Sequence, residues 1–332
     1  MEIIGYLFNG FRRLPDPNLL THIKYAFAEL YVRDNVYQKF ELIGQDYEEL
    51  KRVVELKKIN PKLKVSISFT SQIMNQDNIQ DGGFSQLCNS KEQRQHFCND
   101  VKQFLEEFNL DGVDFNWEFP TLTWSEQRPL PEDKSNFDLL IQELKACLPE
   151  DKIISYAGHA WGNNYFHDNL LLNVVNHINI MCYDMGAGIL GKEHNAIKSR
   201  HMCIEKTLNS YNVNEKLKRK LMIGIPLYGR VQYRTKRISN NYPCTISITE
   251  IEKRLKNNEY SILKSNEKDV PFLLHNGKKI CTFEDVDSLF YKIKLIHERE
   301  LGGLMLWDIS ADTEDYKYLK IINKIVKNIN KT

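Results

Sequence analysis

The sequence predicts an α/β protein, a (β/α)8 barrel of the TIM type with a small α+β insertion between strand seven and the last helix and strand eight. Three observations predict it. Eight short apolar runs rich in β-branched and aromatic residues recur along the 332 residues, separated by amphipathic stretches. Strands that alternate with helices build parallel sheets. One run carries Asp114, Asn116 and Glu118 at every second position, so the three share one face of a strand. Finally, no glycine-rich phosphate loop follows the first strand, where Tyr6-Leu7-Phe8-Asn9-Gly10-Phe11 stands. That argues against an open doubly wound sheet.

In chain order, Ile3–Phe8 and Ile23–Ala28 are the first two strands. A helix over Tyr47–Ile59 follows, with Leu50, Val53, Val54 and Leu56 along one side, and Asn60-Pro61 closes it. Strand three is Leu63–Phe69. The next helix, Lys91–Phe108, turns Phe97, Val101, Phe104, Leu105 and Phe108 inward and opens on Ser90 and Gln93, spaced for a capping box. Strands four to seven are Gly112–Trp117, Ile153–Ala157, Ile178–Tyr183 and Leu221–Ile225. The long gap before strand eight, Gly303–Trp307, ends in a helix over Phe283–Arg299 with Val286, Leu289, Phe290, Ile293 and Ile296 inward. Ahead of that helix the chain is polar and irregular, with β-like pieces at Tyr260–Leu263 and Phe272–Leu274. The barrel is therefore expected over residues 1–230 and 282–332, the insertion over 231–281, and the lysine- and asparagine-rich tail as a last, fraying helix.

Composition narrows the function classes. Lys plus Arg (45) nearly cancel Asp plus Glu (44), so no net field draws nucleic acid or an anionic membrane. The basic runs Lys216–Lys220 and Arg234–Arg237 read as solvated loop charges. No apolar stretch reaches the length of a membrane span. Met1-Glu2 runs straight into a strand, without a secretory leader. Seven cysteines, with no CxxC pair, argue against a disulfide framework or a zinc site. These features fit a cytosolic chain as written, and equally the mature form of a secreted one. The nine histidines show no metal-ligand spacing; His159 reads as a solvated loop residue. No cofactor and no metal are expected, and a monomer is.

The chemistry gathers at strand ends. On strand four, Phe115 and Trp117 face an apolar layer while Asp114, Asn116 and Glu118 face the other way, and Phe119-Pro120 ends the strand. Polar groups on a buried face must bond each other or do chemistry. Parallel α/β folds keep active sites at the carboxyl ends of their strands. Strand six ends Met181-Cys182-Tyr183-Asp184, strand seven Gly224-Ile225-Pro226-Leu227-Tyr228-Gly229-Arg230, and strand eight Met305-Leu306-Trp307. Carboxyl groups beside a phenol and an indole suit a sugar site, with acids for proton transfer and aromatic faces for the apolar faces of the rings.

These segments resemble those of one family. Asp111–Glu118 resembles the DGxDxDxE signature of family 18 glycoside hydrolases, the chitinase family. Met181–Asp184 resembles its MxYD motif, Gly224–Arg230 its GxPxYGR strand, and Gly302–Trp307 with Asp312 its GGxMxWxxxxD ending. Gly5-Tyr6 and Tyr25-Ala26-Phe27-Ala28 match its first two strands. The resemblance spans the whole chain in order and implies a (β/α)8 barrel and a hydrolase of β-1,4-linked N-acetylglucosamine oligomers. It implies substrate-assisted retaining catalysis, an exception to the two-carboxylate scheme. Glu118 would protonate the glycosidic oxygen, and the sugar's own acetamido oxygen would attack the anomeric carbon to form an oxazolinium ion. Position 116 would orient the acetamide, Asp114 would support it, Tyr183 would bond the acetamido oxygen, and Trp307 would floor the pocket. Tyr6, Phe27, Met181, Asp184, Tyr228 and Arg230 would line it. Two other readings stand beside this one: a chitooligosaccharide-binding lectin with weakened turnover, and an endo-acting enzyme on another N-acetylglucosamine glycan.

Three departures bear on the choice. The SxGG motif after strand three reads Ser68-Phe69-Thr70-Ser71, so the loop is expected to take another path and Ser68 to keep its family role only weakly. Loop positions where the family often exposes tryptophans hold Gly10, Gln72 and Ile189, with Trp124 and Trp161 as possible replacements. Third, the last Asp of the signature is Asn116. An amide can still orient the acetamide, but the negative charge beside a developing cation is gone. Exchanging a charged for a neutral hydrogen bond costs roughly 1–3 kcal/mol, about ten- to a hundredfold in rate. Like-charge repulsion that would help keep Glu118 protonated is also missing, so the activity optimum is expected on the acid side. Asn116→Asp should therefore raise the rate of fluorophore release from chitooligosaccharide glycosides by about ten- to a hundredfold and move the optimum to higher pH. An unchanged rate and profile would contradict this.

Overall fold

The computed structural model describes residues 1–71, 83–122, 129–162, 173–185, 192–211, 214–231 and 245–331. Its barrel strands are β1 (Glu2–Phe8), β2 (His22–Arg33), β4 (Lys64–Thr70), β5 (Gly112–Asn116), β6 (Ile153–Gly158), β7 (His177–Ile180), β8 (Leu221–Pro226) and β14 (Gly303–Trp307). They hydrogen-bond in the order β1-β2-β4-β5-β6-β7-β8-β14, and β14 returns to β1. The eight-stranded parallel barrel is thus closed, as the alternation of apolar runs predicts. Closure leaves no open edge in the ring.

A strand absent from the sequence reading, β3 (Val36–Leu42), lies antiparallel on β2. Gln38, Lys39 and Glu41 interrupt its apolar residues, so its pattern is weak. Its turn is not. Arg33 pairs with Val36 across Asp34-Asn35, both with positive φ (52° and 62°), which is the two-residue hairpin loop that suits strand twist.

The chain divides into two compact units. The unit of residues 6–159 and 163–179 carries β2, β4, β5 and β6 in parallel register, with Ser68 beside Asp114 and Asp114 beside Ser155. Its helices are α1 (Tyr47–Glu55), α2 (Phe84–Asn89), α3 (Lys91–Glu107) and α4 (Asp133–Cys147). The apolar face of α3 buries Phe97, Val101 and Leu105. Phe97 meets Phe69 and Tyr37 edge-on at 5.2 and 5.6 Å, and Phe115 at 6.2 Å. Edge-to-face packing of this kind places positive ring edges on negative faces. The capping box is only half formed. Ser90 accepts the Gln93 amide N–H at 3.3 Å, but the Gln93 side chain accepts from Tyr37 N at 2.6 Å and donates to Asn35 O at 3.3 Å. Gln93 ties the β2–β3 hairpin to α3 instead.

The unit of residues 1–5, 160–162 and 180–332 contains β8, β14 and the start of β1. Helices α5 (Ile204–Ser210) and α6 (Glu215–Lys218) precede β8. Between β8 and the last barrel strand stands a five-stranded antiparallel sheet of β9 (Tyr228–Val231), β10 (Thr245–Ser247), β11 (Tyr260–Leu263), β12 (Phe272–His275) and β13 (Lys278–Thr282), ordered β10-β9-β13-β12-β11. Helix α7 (Ile248–Arg254) follows β10. The sheet's first strand starts at Tyr228, so Tyr228 and Arg230 do not extend barrel strand seven, which ends at Pro226.

Helix α8 (Val286–Glu298) opens on Asp285 and Ser288, a reciprocal capping box. Leu289, Ile293 and Ile296 are buried, but Val286 and Phe290 are 47% and 39% exposed, against the inward placement expected of them. At 3.6 residues per turn the buried stripe runs through positions 289, 292, 293 and 296. Its fourth member is Lys292, which the apolar pattern could not reveal. The last helix, α9 (Lys317–Ile329), receives Asp312 at its start: that carboxylate accepts the amide N–H of Thr313 at 2.6 Å, Leu319 at 2.9 Å and Tyr318 at 3.2 Å. Asp312 is thus a helix-end anchor. Among the described residues no helix is long and apolar enough to cross a membrane.

Two substitutions test the packing. Phe97→Ala should lower the unfolding free energy by about 3–5 kcal/mol, whereas Val286→Ala should change it by less than about 0.5 kcal/mol. Urea denaturation followed by circular dichroism measures both.

Candidate active site

Strand β5 is buried on both faces, and its sequence decides what each face meets. Phe115 and the following Trp117 stack into the layer of α2 and α4, with Phe84 at 5.2 Å from Trp117 and Phe137 edge-on at 5.4 Å. The alternate face carries Asp114, fully buried, then Asn116, then Glu118 just past the strand.

Asp114 is saturated with donors. Tyr6 Oη and Ser68 Oγ reach its Oδ2 at 2.7 and 2.8 Å. Ser155 Oγ and Asn179 Nδ2 reach its Oδ1 at 2.6 and 3.0 Å. The Lys24 ammonium lies 3.1 Å from Oδ1 and is itself buried. Burial pushes the Asp114 carboxyl up, but the Lys24 charge and the hydroxyls of Ser155, Tyr6 and Ser68 outweigh it and hold the carboxyl below its ordinary value. Asp114 is therefore a fixed anion. Ser68 keeps its place in spite of the altered loop sequence that follows it.

That altered sequence has a use. Ser71, standing where the family motif has glycine, donates its amide N–H to Asn116 O at 3.1 Å and accepts the Glu118 amide N–H on Oγ at 3.1 Å. A hydroxyl has replaced conformational freedom with a clamp on both sides of Trp117. Beyond the strand, Asp133 accepts from Ser85 Oγ at 2.8 Å and from Leu130 N at 2.9 Å, which holds the start of α4 to the segment ahead of it.

Asn116 donates its amide Nδ2–H to Glu118 Oε1 at 3.0 Å. A donor aimed at a carboxylate favours its ionised form. His159 meets Phe119 edge-on at 4.5 Å, and burial pushes its imidazole down to about 4. It is a packed, neutral histidine, not the solvated one the sequence suggested. Phe27 packs edge-on against Phe8 at 6.0 Å. Gly10, with φ of 77°, donates its amide N–H to Glu49 at 3.0 Å. Trp161 is largely exposed. Gln72, Trp124, Ile189 and the basic run 234–237 lie outside the described residues.

The other unit holds the remaining candidates. Asp184 has a left-handed backbone (φ 55°), a conformation aspartate tolerates better than most residues. Its carboxylate lies 3.2 Å from His194 Nδ1 and 3.4 Å from Arg230 Nη1. Burial pushes the Asp184 carboxyl up, but His194, Arg230 and the Tyr228 hydroxyl together bring it below the usual range. Tyr183 meets Tyr228 edge-on at 6.3 Å. Gly224 makes room for Tyr183: a Cβ there would fall 2.4 Å from Ile180 O and 2.8 Å from the Tyr183 ring. Met181 and Trp307, each at a strand end, are partly exposed.

Sequence reasoning missed Lys24, Ser71, Ser155, Asn179 and His194. A signal existed for three of them. Lys24, Ser155 and Asn179 are polar residues at single positions inside otherwise apolar strands, the same feature that picks out Asp114. Of the histidines, His22 and His177 meet edge-on at 4.9 Å at the amino-terminal ends of their strands, where barrels keep structural groups and not catalytic ones.

The anion at Asp114 yields a pH-dependent prediction. Its folded pKa is depressed, so the stability it contributes is present above its unfolded value of about 3.9 and is lost as pH falls through the folded value. Lys24→Met leaves a buried charge uncompensated and should cost about 3–5 kcal/mol at pH 7. In that variant burial dominates and raises the Asp114 pKa. The deficit should therefore shrink toward pH of about 3 as the carboxyl protonates. Urea denaturation at several pH values reads both the size and the trend.

Residues 2–312 match the family model described as glycosyl hydrolases family 18. The chain is 26% identical to probable chitinase 10 of Drosophila melanogaster across 97% of its own length and 16% of that protein's. It is 27% identical to chitinase A1 of Niallia circulans across 78% of its own length and 42% of that protein's. The chain thus spans less than half of either relative. A class V chitinase from Nicotiana tobaccum, solved in complex with NAG4, superimposes with a TM-score of 0.82 at 16% identity over 98% of both chains, a likeness of fold. With its closed barrel, and with the family model matching from β1 through to the anchor of α9, the chain belongs to glycosyl hydrolases family 18.

Proposed function

We propose that the protein hydrolyses β-1,4-linked N-acetylglucosamine oligomers with retention, using the substrate's acetamido group as nucleophile and Glu118 as general acid. The observation that carries this reading is Glu118 itself. Its backbone is clamped by Ser71 and its carboxyl is bonded by Asn116, at the carboxyl end of a strand whose base is the fixed anion Asp114. A retired site has no need for an oriented acid. The complex of the tobacco chitinase with NAG4 supports the substrate class.

Glu118 transfers its proton to the glycosidic oxygen while the C1–O bond breaks. The acetamido oxygen bonds to C1 from the other face and forms an oxazolinium ion. Water then attacks C1, opens that ring and returns a proton to Glu118. Asp114, fixed by its donors and ionised at pH 7, keeps the β5 face in register while Asn116 orients the acetamide. In this reading Tyr183 bonds the acetamido oxygen and Trp307 offers an apolar floor. Tyr6, Phe27, Met181, Asp184, Tyr228 and Arg230 form the walls. A sugar without an acetamide lacks the nucleophile.

A second reading, a chitooligosaccharide-binding lectin with slow turnover, is favoured by one observation. The Asn116 amide favours ionised Glu118, whereas a general acid must carry its proton. The two readings separate in one assay. Fluorophore release from chitobiose and chitotriose glycosides by the wild type should vanish in Glu118→Gln, with thermal stability preserved. Micromolar binding of chitotriose without release by the wild type would support the lectin. Release that survives Glu118→Gln would refute Glu118 as the acid.

A further inference from the structure

Two neighbouring side chains in one unit point to opposite tasks. His194 faces Asp184, and Asn195 donates to Glu284 Oε1 at 2.5 Å. Glu284 also accepts from the Lys292 ammonium, and on its other oxygen from Ser288 Oγ at 2.5 Å. All of Asn195, Glu284, Ser288 and Lys292 are buried. None of them belongs to the sugar-facing set above, yet a buried lysine on the α8 stripe pairs with a buried glutamate just ahead of that helix. Replacing such a pair by apolar residues is often neutral or better for stability. A role in fixing geometry accounts for keeping it.

The protonation of His194 follows from its surroundings. Its ring is buried, with Asp184, Lys292, Glu284 and the Tyr228 ring around it. Nδ1 lies 3.2 Å from Asp184 Oδ1, and the Asp184 amide N–H points at it from 3.3 Å. Nε2 is buried with no partner among the described residues. A proton on Nε2 would be an orphaned buried donor, costing about 1–3 kcal/mol, and would set the Nδ1 lone pair against the carboxylate oxygen at 3.2 Å, with only the Asp184 amide N–H at 3.3 Å to satisfy it. A proton on Nδ1 has the carboxylate as its acceptor, the closer of the two contacts, and leaves on Nε2 an unfilled acceptor, which a buried site tolerates better than an orphaned N–H. Burial, reinforced by Lys292, also holds the imidazole below its ordinary value despite Asp184 and Glu284, so the ring is neutral at pH 7.

We propose that His194 is a positioning residue: its Nδ1–H holds the Asp184 carboxylate in place beside Arg230, and the Asn195–Glu284–Lys292–Ser288 cluster anchors the backbone that presents His194. The groups facing Asp184 are then one cation, Arg230, and two neutral donors, His194 and Tyr228. Losing one of those donors leaves burial less opposed, so Asp184 protonates at higher pH. The inference rests on the pocket role proposed for Asp184, but its test does not require turnover.

Nitrogen-15 NMR of wild-type protein with labelled histidine should show His194 neutral and protonated on Nδ1 at pH 7. Carbon-13 NMR of the aspartate carboxyls should place the Asp184 titration about one pH unit higher in His194→Leu, and His194→Asn, which keeps a donor, should reverse most of that shift. An Nε2–H tautomer in the wild type, or an unmoved Asp184 titration in folded His194→Leu, would overturn the proposal. If His194→Leu does not fold, the wild-type tautomer decides alone. Absence of sugar hydrolysis together with the expected shifts would count against the proposed activity and leave His194 in its role.

Discussion

A carboxylate with no solvent around it must find its counter-charge and its donors inside the fold, and Asp114 finds both. Tyr6 comes from β1, Lys24 from β2, Ser68 from β4, Ser155 from β6 and Asn179 from β7. One side chain on β5 thereby fixes the register of five other strands. Removing any one partner leaves a buried charge less satisfied, which is the costly failure for such networks. Because strand side chains alternate with a period of two, a one-residue slip of β5 would exchange this polar face for Phe115 and Trp117. The network therefore sets which way Asn116 and Glu118 face.

Two adjustments above that anchor pull in different directions. Ser71 adds a hydroxyl clamp to the Glu118 backbone where the family motif has a glycine. Asn116 replaces a carboxylate by an amide, and that amide donates to Glu118. The first sharpens the placement of an acid; the second removes negative charge from beside it and steadies its ionised form. Both are consistent with a family 18 site that keeps its geometry and works at lower pH or lower rate than one with a third acid.

Much of this was legible in the sequence, for physical reasons that differ by element. The barrel strands announce themselves because strands buried on both faces are continuous apolar runs, and Asp114 stands out because it breaks such a run. Lys24, Ser155 and Asn179 break their runs in the same way, but a lone polar residue has no visible partner until strands are paired. The strand β3 was hidden by Gln38, Lys39 and Glu41, since one of its faces meets solvent, although Asp34-Asn35 marks its turn. Val286 and Phe290 look like core residues because a helical period tolerates either edge of a stripe, and only the Glu284–Lys292 pair shows where the stripe is centred. His194 stands ten residues after Asp184, and its bond to Asp184 is not a matter of helix or strand period, so no pattern could have found it.

The proposed chemistry turns on the sugar's own amide oxygen, held by a site whose acid is Glu118. The most direct measurement compares hydrolysis of aryl chitobiosides whose reducing-side acetamide carries zero, one, two or three fluorines. Fluorine weakens the amide oxygen as a nucleophile while leaving the sugar ring and leaving group unchanged. Substrate assistance predicts a catalytic rate that falls steeply with each fluorine. A rate indifferent to fluorination would mean that another nucleophile acts, and would contradict the reading of this site.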